Sequence, residues 1–302
     1  MSHIYIFSPS SAVRDKAAFK RGIKRLEALG HEVQIDPDAL SGHMRFAGDD
    51  ETRLKAIGRA AASGANIAMI SRGGYGLTRL LTQLPYKAIA KSIDNGTHYV
   101  GLSDFTAFQL AVYAKTQRIT WQGPALGEDF GPAHEPDDIM QACFTDLCLE
   151  QAEGTGWRMP VDSLQKNVKV NNSVLWGGNL AVLTSLLGTP YFPLVKQGVL
   201  FLEDVGEHPY KIERMLTQLL NAGVLQNQKA ILLGQFTSYK LVHHDKGFKL
   251  TTVIDRLRQQ LKIPVLKGMP FGHVSTKVLL PVGAKVDLAT EGRDAFLVWG
   301  HI

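Results

Sequence analysis

The sequence has few cysteines and no long apolar run. These two absences argue against a disulfide-rich protein and against a membrane-spanning one. Of its 302 residues only Cys143 and Cys148 are cysteines, and their spacing fits neither a disulfide framework nor a metal-ligand pattern. No apolar segment approaches the ~18 residues needed to span a membrane. The apolar run Ile4–Phe7 lacks a preceding basic region, which indicates a first strand rather than a signal peptide. We therefore expect a cytoplasmic protein with no membrane partner.

The sequence also lacks runs of clustered lysine and arginine interleaved with aromatic residues. Nucleic-acid binding is therefore not expected, although the net charge is +5. The charge is uneven: residues 1–150 have 16 Lys and Arg against 17 Asp and Glu, whereas residues 151–302 have 17 against 11. A basic second half suits a small acidic substrate, and a solvated basic surface is the alternative.

Strand and helix patterns alternate through the first half of the chain, with short connections. This alternation predicts an α/β fold with a parallel sheet covered by helices, in which ligands bind beyond the C-terminal ends of the strands. We assign residues 1–152 to this N-terminal α/β domain and residues 153–165, which are rich in glycine, to a linker. Strand patterns outnumber helical ones in residues 166–302, which predicts a β-rich α+β domain.

One stretch of the first half changes period within a few residues. Tyr99–Leu102 is apolar and β-prone, whereas the apolar residues after Ser103 have helical spacing. Ser103 is thereby predicted on a sharp strand-to-helix turn, which presents a hydroxyl and the free N–H groups of the new helix. Asp104 follows it, where the helix dipole favours negative charge. An ordinary helix N-cap is the alternative for Ser103.

A glycine loop, Ser71-Arg-Gly-Gly-Tyr-Gly76, follows the strand predicted at Ala65–Ile70. Its backbone can approach a ligand closely. Two N–H groups could then form an oxyanion hole, one from Asp104 and the other from Gly73 or Gly74. A tight turn and a phosphate loop are the alternatives, and the phosphate loop lacks both nucleotide fingerprints.

Two residues of the second half could complete a site around a nucleophilic serine. Glu203 comes directly after the apolar run Gly198–Leu202, where a carboxylate needs a cation or a strong donor. His273 follows the glycine-bracketed loop Gly268–Gly272, and a solvated loop histidine is the alternative. Competitors for the acid are expected in a solvated turn before the next helix: Asp204, Glu207 and His208.

A serine, a histidine and a carboxylate together support nucleophilic acyl transfer. The imidazole takes the proton of the serine, and the carboxylate fixes the tautomer of the imidazole. The order Ser103, Glu203, His273 is also the order in α/β-hydrolases, although Phe105 replaces the second glycine of their Gly-x-Ser-x-Gly motif. His243 and His244 would need a further metal ligand that the sequence does not identify, so we expect no metal and no cofactor.

Five stretches in order resemble the LD-carboxypeptidases of bacterial cell-wall recycling, also called muramoyltetrapeptide carboxypeptidases. They are Ser71-Arg-Gly-Gly-Tyr-Gly76, Gly101-Leu-Ser-Asp-Phe-Thr-Ala107, Trp176-Gly-Gly-Asn-Leu-Ala-Val-Leu-Thr-Ser-Leu-Leu-Gly-Thr-Pro190, Phe201-Leu-Glu-Asp-Val-Gly-Glu207 with Tyr210-Lys-Ile-Glu-Arg-Met-Leu216, and Gly268-Met-Pro-Phe-Gly-His273. The sequence departs from the family at Gln122-Gly-Pro-Ala125, where His-Gly-Pro-Met is more usual, so the pocket wall there is in question.

The resemblance implies a serine peptidase with Ser103 as nucleophile and Glu203 and His273 completing the triad. It implies a flavodoxin-like N-terminal domain, a smaller β-rich C-terminal domain, a homodimer and a cytoplasmic location. The implied reaction removes the terminal D-alanine of a murein tetrapeptide by cutting its bond to an L-centre of meso-diaminopimelate. The substrate is then expected in a cleft between the domains. Arg72 is a candidate to hold its terminal carboxylate, and a structural ion pair is the alternative.

Two other functions stay open at this stage. Some relatives inactivate microcin-type peptidyl nucleotides by cutting an amide next to an adenylate, but no aromatic cluster here indicates an adenine pocket. A non-catalytic ligand-binding module is the second alternative, although all three residue types of the triad are present. The sequence does not distinguish free, anhydromuramyl and nucleotide-linked forms of the murein substrate.

Overall fold

A computed structural model describes residues 1–161 and 167–302, which form two compact units. The first unit comprises Met1–Ala152, Pro190–Pro193 and Ser275–Gly283, and the second comprises Glu153–Thr189, Leu194–Val274 and Ala284–Ile302. Residues 162–165 of the predicted linker lie outside the described residues. Another part of that linker, Gly154–Arg158, forms a strand instead of an irregular connection.

The first 150 residues alternate strands and helices in chain order. They form β1 (His3–Phe7), α1 (Lys16–Ala28), β2 (Glu32–Ile35), α2 (Asp50–Ala62), β3 (Ile67–Ile70), α3 (Tyr86–Asp94), β4 (His98–Gly101), α4 (Phe105–Thr116), β5 (Thr120–Gln122) and α5 (Asp138–Cys148). Aspartates begin three of these helices, because the Asp15, Asp49 and Asp137 side chains accept hydrogen bonds from the N–H groups of Ala18, Thr52 and Met140.

The rest of the chain continues the element order in both units. It forms β6 (Gly154–Arg158), β7 (Lys169–Asn179), α6 (Leu180–Ser185), β8 (Val199–Val205), α7 (Pro209–Asn221), β9 (Ala230–Thr237), α8 (Leu250–Gln260), β10 (Val265–Lys267), β11 (Leu280–Val282), β12 (Lys285–Glu291) and β13 (Asp294–Val298). In the described ranges, no helix is both long and apolar enough to cross a bilayer.

The sheet of the first unit has the order β11-β5-β4-β3-β1-β2. Strands β1 to β5 run parallel in the flavodoxin-like order 2-1-3-4-5, which confirms the predicted fold class. Every residue of β3 is buried, as expected for a parallel strand covered on both faces. The added strand β11 is antiparallel to β5 and pairs Leu280 with Gln122. Residues 275–283, assigned from sequence to the C-terminal domain, therefore belong to the first unit.

Helix α4, which follows the predicted turn at Ser103, is buried over most of its length. Every residue from Phe105 to Tyr113 is buried, and the rings of Phe105 and Phe108 stack with centroids 4.6 Å apart. Gly101 allows this close packing, because a Cβ there would lie 2.7 Å from the side chain of Ile70 and 2.8 Å from that of Phe105. The end of β4 and the start of α4 are consequently fixed by core packing.

The sheet of the second unit has the order β10-β9-β8-β7-β12-β13-β6. Strands β7 to β10 are parallel and are connected through α6, α7 and α8, whereas β12, β13 and β6 are antiparallel. This mixed sheet confirms the predicted β-rich α+β class. The carboxyl ends of β7, β8 and β9 are neighbours, so residues that end these strands meet at one edge.

Candidate active site

Ser103 occupies the turn between β4 and α4. Its φ of +65° is in the left-handed region, which costs a residue other than glycine about 1–3 kcal/mol and therefore requires support from its surroundings. The Ser103 carbonyl accepts a hydrogen bond from the Thr106 N–H at 2.9 Å, so the turn leads directly into α4. The side chain is half-buried. This is the strained elbow geometry that exposes a nucleophile.

The glycine loop lies against this serine at Gly73. A Cβ on Gly73 would lie 2.6 Å from the Ser103 Cβ and 2.8 Å from its Oγ, so only glycine fits there without displacement. Gly74 has a φ of +107° and contacts Ser11 instead. No described residue accepts a hydrogen bond from the N–H groups of Asp104, Gly73 or Gly74. The structure thus places Gly73, rather than Gly74, beside the predicted nucleophile.

The Asp104 side chain fastens the elbow to the glycine loop. Its carboxylate is 2% exposed, accepts a hydrogen bond from the Leu77 N–H at 2.9 Å and contacts the Ser10 hydroxyl. Burial raises the pKa of this carboxyl, and the hydrogen bonds from Ser10 and Leu77 oppose that rise. The sequence predicts Asp104 in the first turn of a helix, where the helix dipole favours its negative charge. The carboxylate instead makes no capping bond to α4, because the loop donors hold it.

Arg72 forms no ion pair with a described residue. Its Nη1 donates a hydrogen bond to the Ala12 carbonyl at 3.1 Å. Partial burial lowers the pKa of the guanidinium, and the nearby Glu128 opposes that change. The side chain is half-buried and remains charged at neutral pH, so it can bind an anion.

Glu203 and His273 meet in the second unit. The His273 Nδ1 lies 2.8 Å from the Glu203 Oε2, and the Glu203 side chain is 1% exposed. Gly272 lets the histidine loop approach, because a Cβ there would lie 3.0 Å from the Glu203 Oε2. The loop is also held by a hydrogen bond from the Gln235 N–H on β9 to the Phe271 carbonyl at 2.8 Å. A buried carboxylate in this position orients the imidazole and stabilises its protonated form.

Asn179 supports this pair, and the sequence alone does not predict that role. Its Nδ2 donates to the Glu203 Oε1 at 3.1 Å and to the Asp204 Oδ1 at 3.0 Å. The register explains the contact, since Asn179 ends β7 directly opposite Glu203 on the parallel strand β8. The available signal was the Trp176-Gly-Gly-Asn179 segment, whose polar residue follows a strand pattern.

Asp204 is not in a solvated turn, contrary to the expectation. It lies within β8, is 3% exposed and accepts hydrogen bonds from the N–H groups of Ala181 and Val205. Burial raises the pKa of Asp204 to about 6, and the neighbouring Glu203 adds to that rise. The error has a simple cause: β8 extends past the apolar run, to Val205.

The other candidates of the second unit have different neighbours. Glu207 forms an ion pair with Lys211 at 3.4 Å, and the His208 Nε2 lies 3.1 Å from the Asp245 Oδ2. His243 belongs to a short exposed helical turn. Across residues 1–161 and 167–302, no group of three or more His, Cys, Asp or Glu side chains could hold a metal ion.

Gln122, where the sequence departs from the family, lies in the core of the first unit. It is fully buried in β5, opposite Gly101 of β4, and its Nε2 donates to the Thr106 Oγ1 at 2.9 Å. The departure therefore affects the packing beneath the turn that carries Ser103.

Comparison with known proteins decides the family. The LD-carboxypeptidase N-terminal domain matches residues 4–123, and the LD-carboxypeptidase C-terminal domain matches residues 172–288. A probable murein peptide carboxypeptidase of Bacillus subtilis is 30% identical over 91% of this chain and 85% of its own length. The chain belongs to the LD-carboxypeptidase family. The family resemblance stated from sequence is thereby confirmed.

Two further relatives show the breadth of this carboxypeptidase family. The muramoyltetrapeptide carboxypeptidase of Oxalobacter formigenes is 36% identical, and its crystal structure superposes with a TM-score of 0.88 over 99% of this chain and 98% of that one. The microcin C7 self-immunity protein MccF of Escherichia coli is 26% identical over 95% of this chain and 90% of its own length. Family membership supports carboxypeptidase activity at a general level.

Proposed function

We propose that this protein is a serine carboxypeptidase that removes the terminal D-alanine of murein tetrapeptides. Ser103 of the first unit is the nucleophile, His273 of the second is the general base, and Glu203 orients His273. The observation that carries the proposal is the 2.8 Å hydrogen bond between the fully buried Glu203 and the His273 Nδ1. Such a carboxylate stabilises the imidazolium that forms when a serine is deprotonated.

The proposed reaction has two halves. The Ser103 Oγ attacks the carbonyl carbon between the L-centre of diaminopimelate and D-alanine while the His273 Nε2 takes its proton. The resulting oxyanion accepts hydrogen bonds from the Asp104 and Gly73 N–H groups. His273 then protonates the leaving nitrogen, and D-alanine departs. In the second half, His273 activates a water that attacks the Ser103 ester, and the shortened peptide is released. Glu203 orients His273 in both halves and does not take the proton itself.

The substrate class rests on relatives and on charge. Two relatives carry names that refer to murein peptide or muramoyltetrapeptide, and a murein peptide has several carboxylates. Residues 151–302 carry 17 Lys and Arg against 11 Asp and Glu, which complements that charge. Arg72 is the candidate to bind the terminal carboxylate. A cytoplasmic homodimer is the accompanying proposal for location and assembly, with no cofactor.

The test compares the wild type with Ser103→Ala on two peptides. One is the murein tetrapeptide, and the other has reversed stereochemistry at its terminal residue. We expect D-alanine release from the first peptide by the wild type alone, with a loss of about four orders of magnitude in the variant. Ser185→Ala, which removes an exposed hydroxyl of α6, is the matched control and should keep full activity.

Two outcomes would contradict this proposal. Near-normal turnover by a folded Ser103→Ala variant would exclude Ser103 as the nucleophile. Cleavage of an aminoacyl-sulfamoyl-nucleotide analogue of the microcin type, with the tetrapeptide left intact, would instead favour an immunity-type activity like that of the MccF relative.

A further inference from the structure

Three arginines of the first unit are on three loops that are fastened to one another. Arg14 follows β1, Arg45 follows β2 and Arg72 follows β3. The Ala12 N–H donates to the Arg45 carbonyl at 3.0 Å, and the Ala12 carbonyl accepts from the Arg72 Nη1 at 3.1 Å. These loops lie at the carboxyl ends of β1 and β3, where the strand order of the sheet reverses. Ligands of such sheets bind at this position.

These arginines differ from the other arginines of the unit in their ion pairs. Six arginines have a carboxylate within 4.0 Å, namely Arg21, Arg25, Arg53, Arg59, Arg79 and Arg118. Among the described residues, no carboxylate lies within that distance of Arg14, Arg45 or Arg72. Among the described residues of this unit, the arginines without a nearby carboxylate are therefore those on the glycine loop and the two loops fastened to it.

The charges of Arg14 and Arg45 also act on Arg72. Burial is the main cause of the lowered pKa of Arg72, and the positive charges of Arg14 and Arg45 lower it further. Glu128 opposes this effect without forming an ion pair. Arg45 is held over the exposed ring of Tyr75, with its Cζ 5.6 Å from the ring centroid. Like charges gathered at one place are unfavourable unless an anion binds among them.

The position of the cluster relates it to the nucleophile. Arg72 directly precedes Gly73, the residue that contacts Ser103. The loop is held on its other side by the hydrogen bond from the Ser11 N–H to the Gly73 carbonyl at 3.3 Å. An anion bound by Arg72 therefore lies in the same group of loops as the Ser103 hydroxyl.

We propose that Arg72, assisted by Arg45 and Arg14, forms an anion site that binds the free carboxylate of the C-terminal residue of the substrate. This inference rests on the proposed peptidase function and adds the basis of its exopeptidase specificity. A guanidinium binds a carboxylate through two parallel hydrogen bonds, which a terminal amide cannot reproduce. The site thereby favours peptides whose C-terminal residue directly follows the cleaved bond.

The test uses two substrates, the tetrapeptide with a free terminal carboxylate and the same peptide ending in D-alaninamide. The wild type should cleave the free acid with a kcat/KM at least 100-fold higher. Arg72→Gln should reduce kcat/KM for the free acid by roughly 10- to 150-fold, mainly through KM, and lower the preference for the free acid by the same factor. Arg72→Lys, which keeps the charge but not the paired donors, should give an intermediate preference. Arg45→Gln should lower kcat/KM for the free acid by roughly threefold to tenfold and make that kcat/KM less dependent on salt.

A matched control and a binding measurement separate this proposal from the proposed function. Arg118→Gln removes an ion-paired arginine of the same unit and should keep the wild-type preference. Calorimetric titration of the two peptides into Ser103→Ala, with and without Arg72→Gln, measures affinity without turnover. An unchanged preference in Arg72→Gln would overturn the anion site even if Ser103→Ala is inactive. Equal losses on both peptides would also overturn it, since the role would then be structural.

Discussion

Gly73→Ala tests the contact between the glycine loop and the nucleophile. The φ of Gly73 is outside the left-handed region, so alanine is compatible with its backbone. The added methyl group would nevertheless lie 2.6 Å from the Ser103 Cβ and 2.8 Å from its Oγ. The substitution therefore acts through one defined contact with Ser103.

The size of the effect follows from these distances. Ordinary van der Waals contact begins at 3.4 Å, so Ser103 and the loop must separate by about 0.6–0.8 Å. Displacing a reacting group by about 1 Å costs about 100-fold in rate, and the same shift moves the proposed Gly73 oxyanion donor. We expect kcat to fall by about 100- to 1,000-fold. The strain should lower the free energy of unfolding by about 1–3 kcal/mol.

The assay is D-alanine release under steady-state conditions, with thermal unfolding measured in parallel. Gly58→Ala is the matched control, since Gly58 lies within α2 and a Cβ there meets no atom within 4 Å. That control should keep full activity and gain about 0.5–1 kcal/mol of stability, because alanine favours the helix. A folded Gly73→Ala variant with wild-type kcat would refute the proposed position of the nucleophile.

Three further predictions concern the buried polar groups. Glu203→Gln should lower kcat by roughly three to four orders of magnitude with little change in KM, and a normal kcat would exclude Glu203 as the orienting acid. Asp204→Asn should flatten the pH dependence of stability. Burial raises the pKa of Asp204 from 3.8 to about 6, so the stability that its protonation adds to the folded state is present at low pH and is lost as the pH rises between these values. Urea titrations at pH 4 and pH 6.5 measure this change in the free energy of unfolding. An equal change in the variant and the wild type would contradict the prediction. Lys277→Met should lower the free energy of unfolding by about 3–5 kcal/mol, because it leaves Asp129 unpaired at a site where both side chains are 3% exposed. Adding Asp129→Asn should restore part of that stability, and a double variant with no such gain would argue against the ion pair.

The parts of the fold that follow from local pattern were predictable. The turn at Ser103 follows from a change of hydrophobic period, and the α/β class follows from the alternation of strands and helices. Gly73 was a candidate because a glycine loop after a strand lies at the ligand-binding edge of a parallel sheet. These predictions need only the neighbours in sequence and the general rules for parallel sheets.

The missed features all depend on contacts between distant segments. Asn179 contacts Glu203 because their strands are in register, and no local signal gives that register. The Asp104 carboxylate accepts a hydrogen bond from the Leu77 N–H, 27 residues away in the chain. Its position before α4 therefore does not predict that it holds the glycine loop. The pairing of Glu203 with His273 was expected from the family resemblance, since periodicity does not relate residues so far apart.

The antiparallel strand β11 has a consequence for how the protein folds during synthesis. Strand β5, residues Thr120–Gln122, pairs with β4 on one side and with residues 280–282 on the other. A ribosome must therefore reach residue 282 before the sheet of the first unit is complete. Until then, the backbone groups of β5 that face β11 lack their partners. The last step of folding in the first unit thus waits for a segment that emerges after almost all of the second unit.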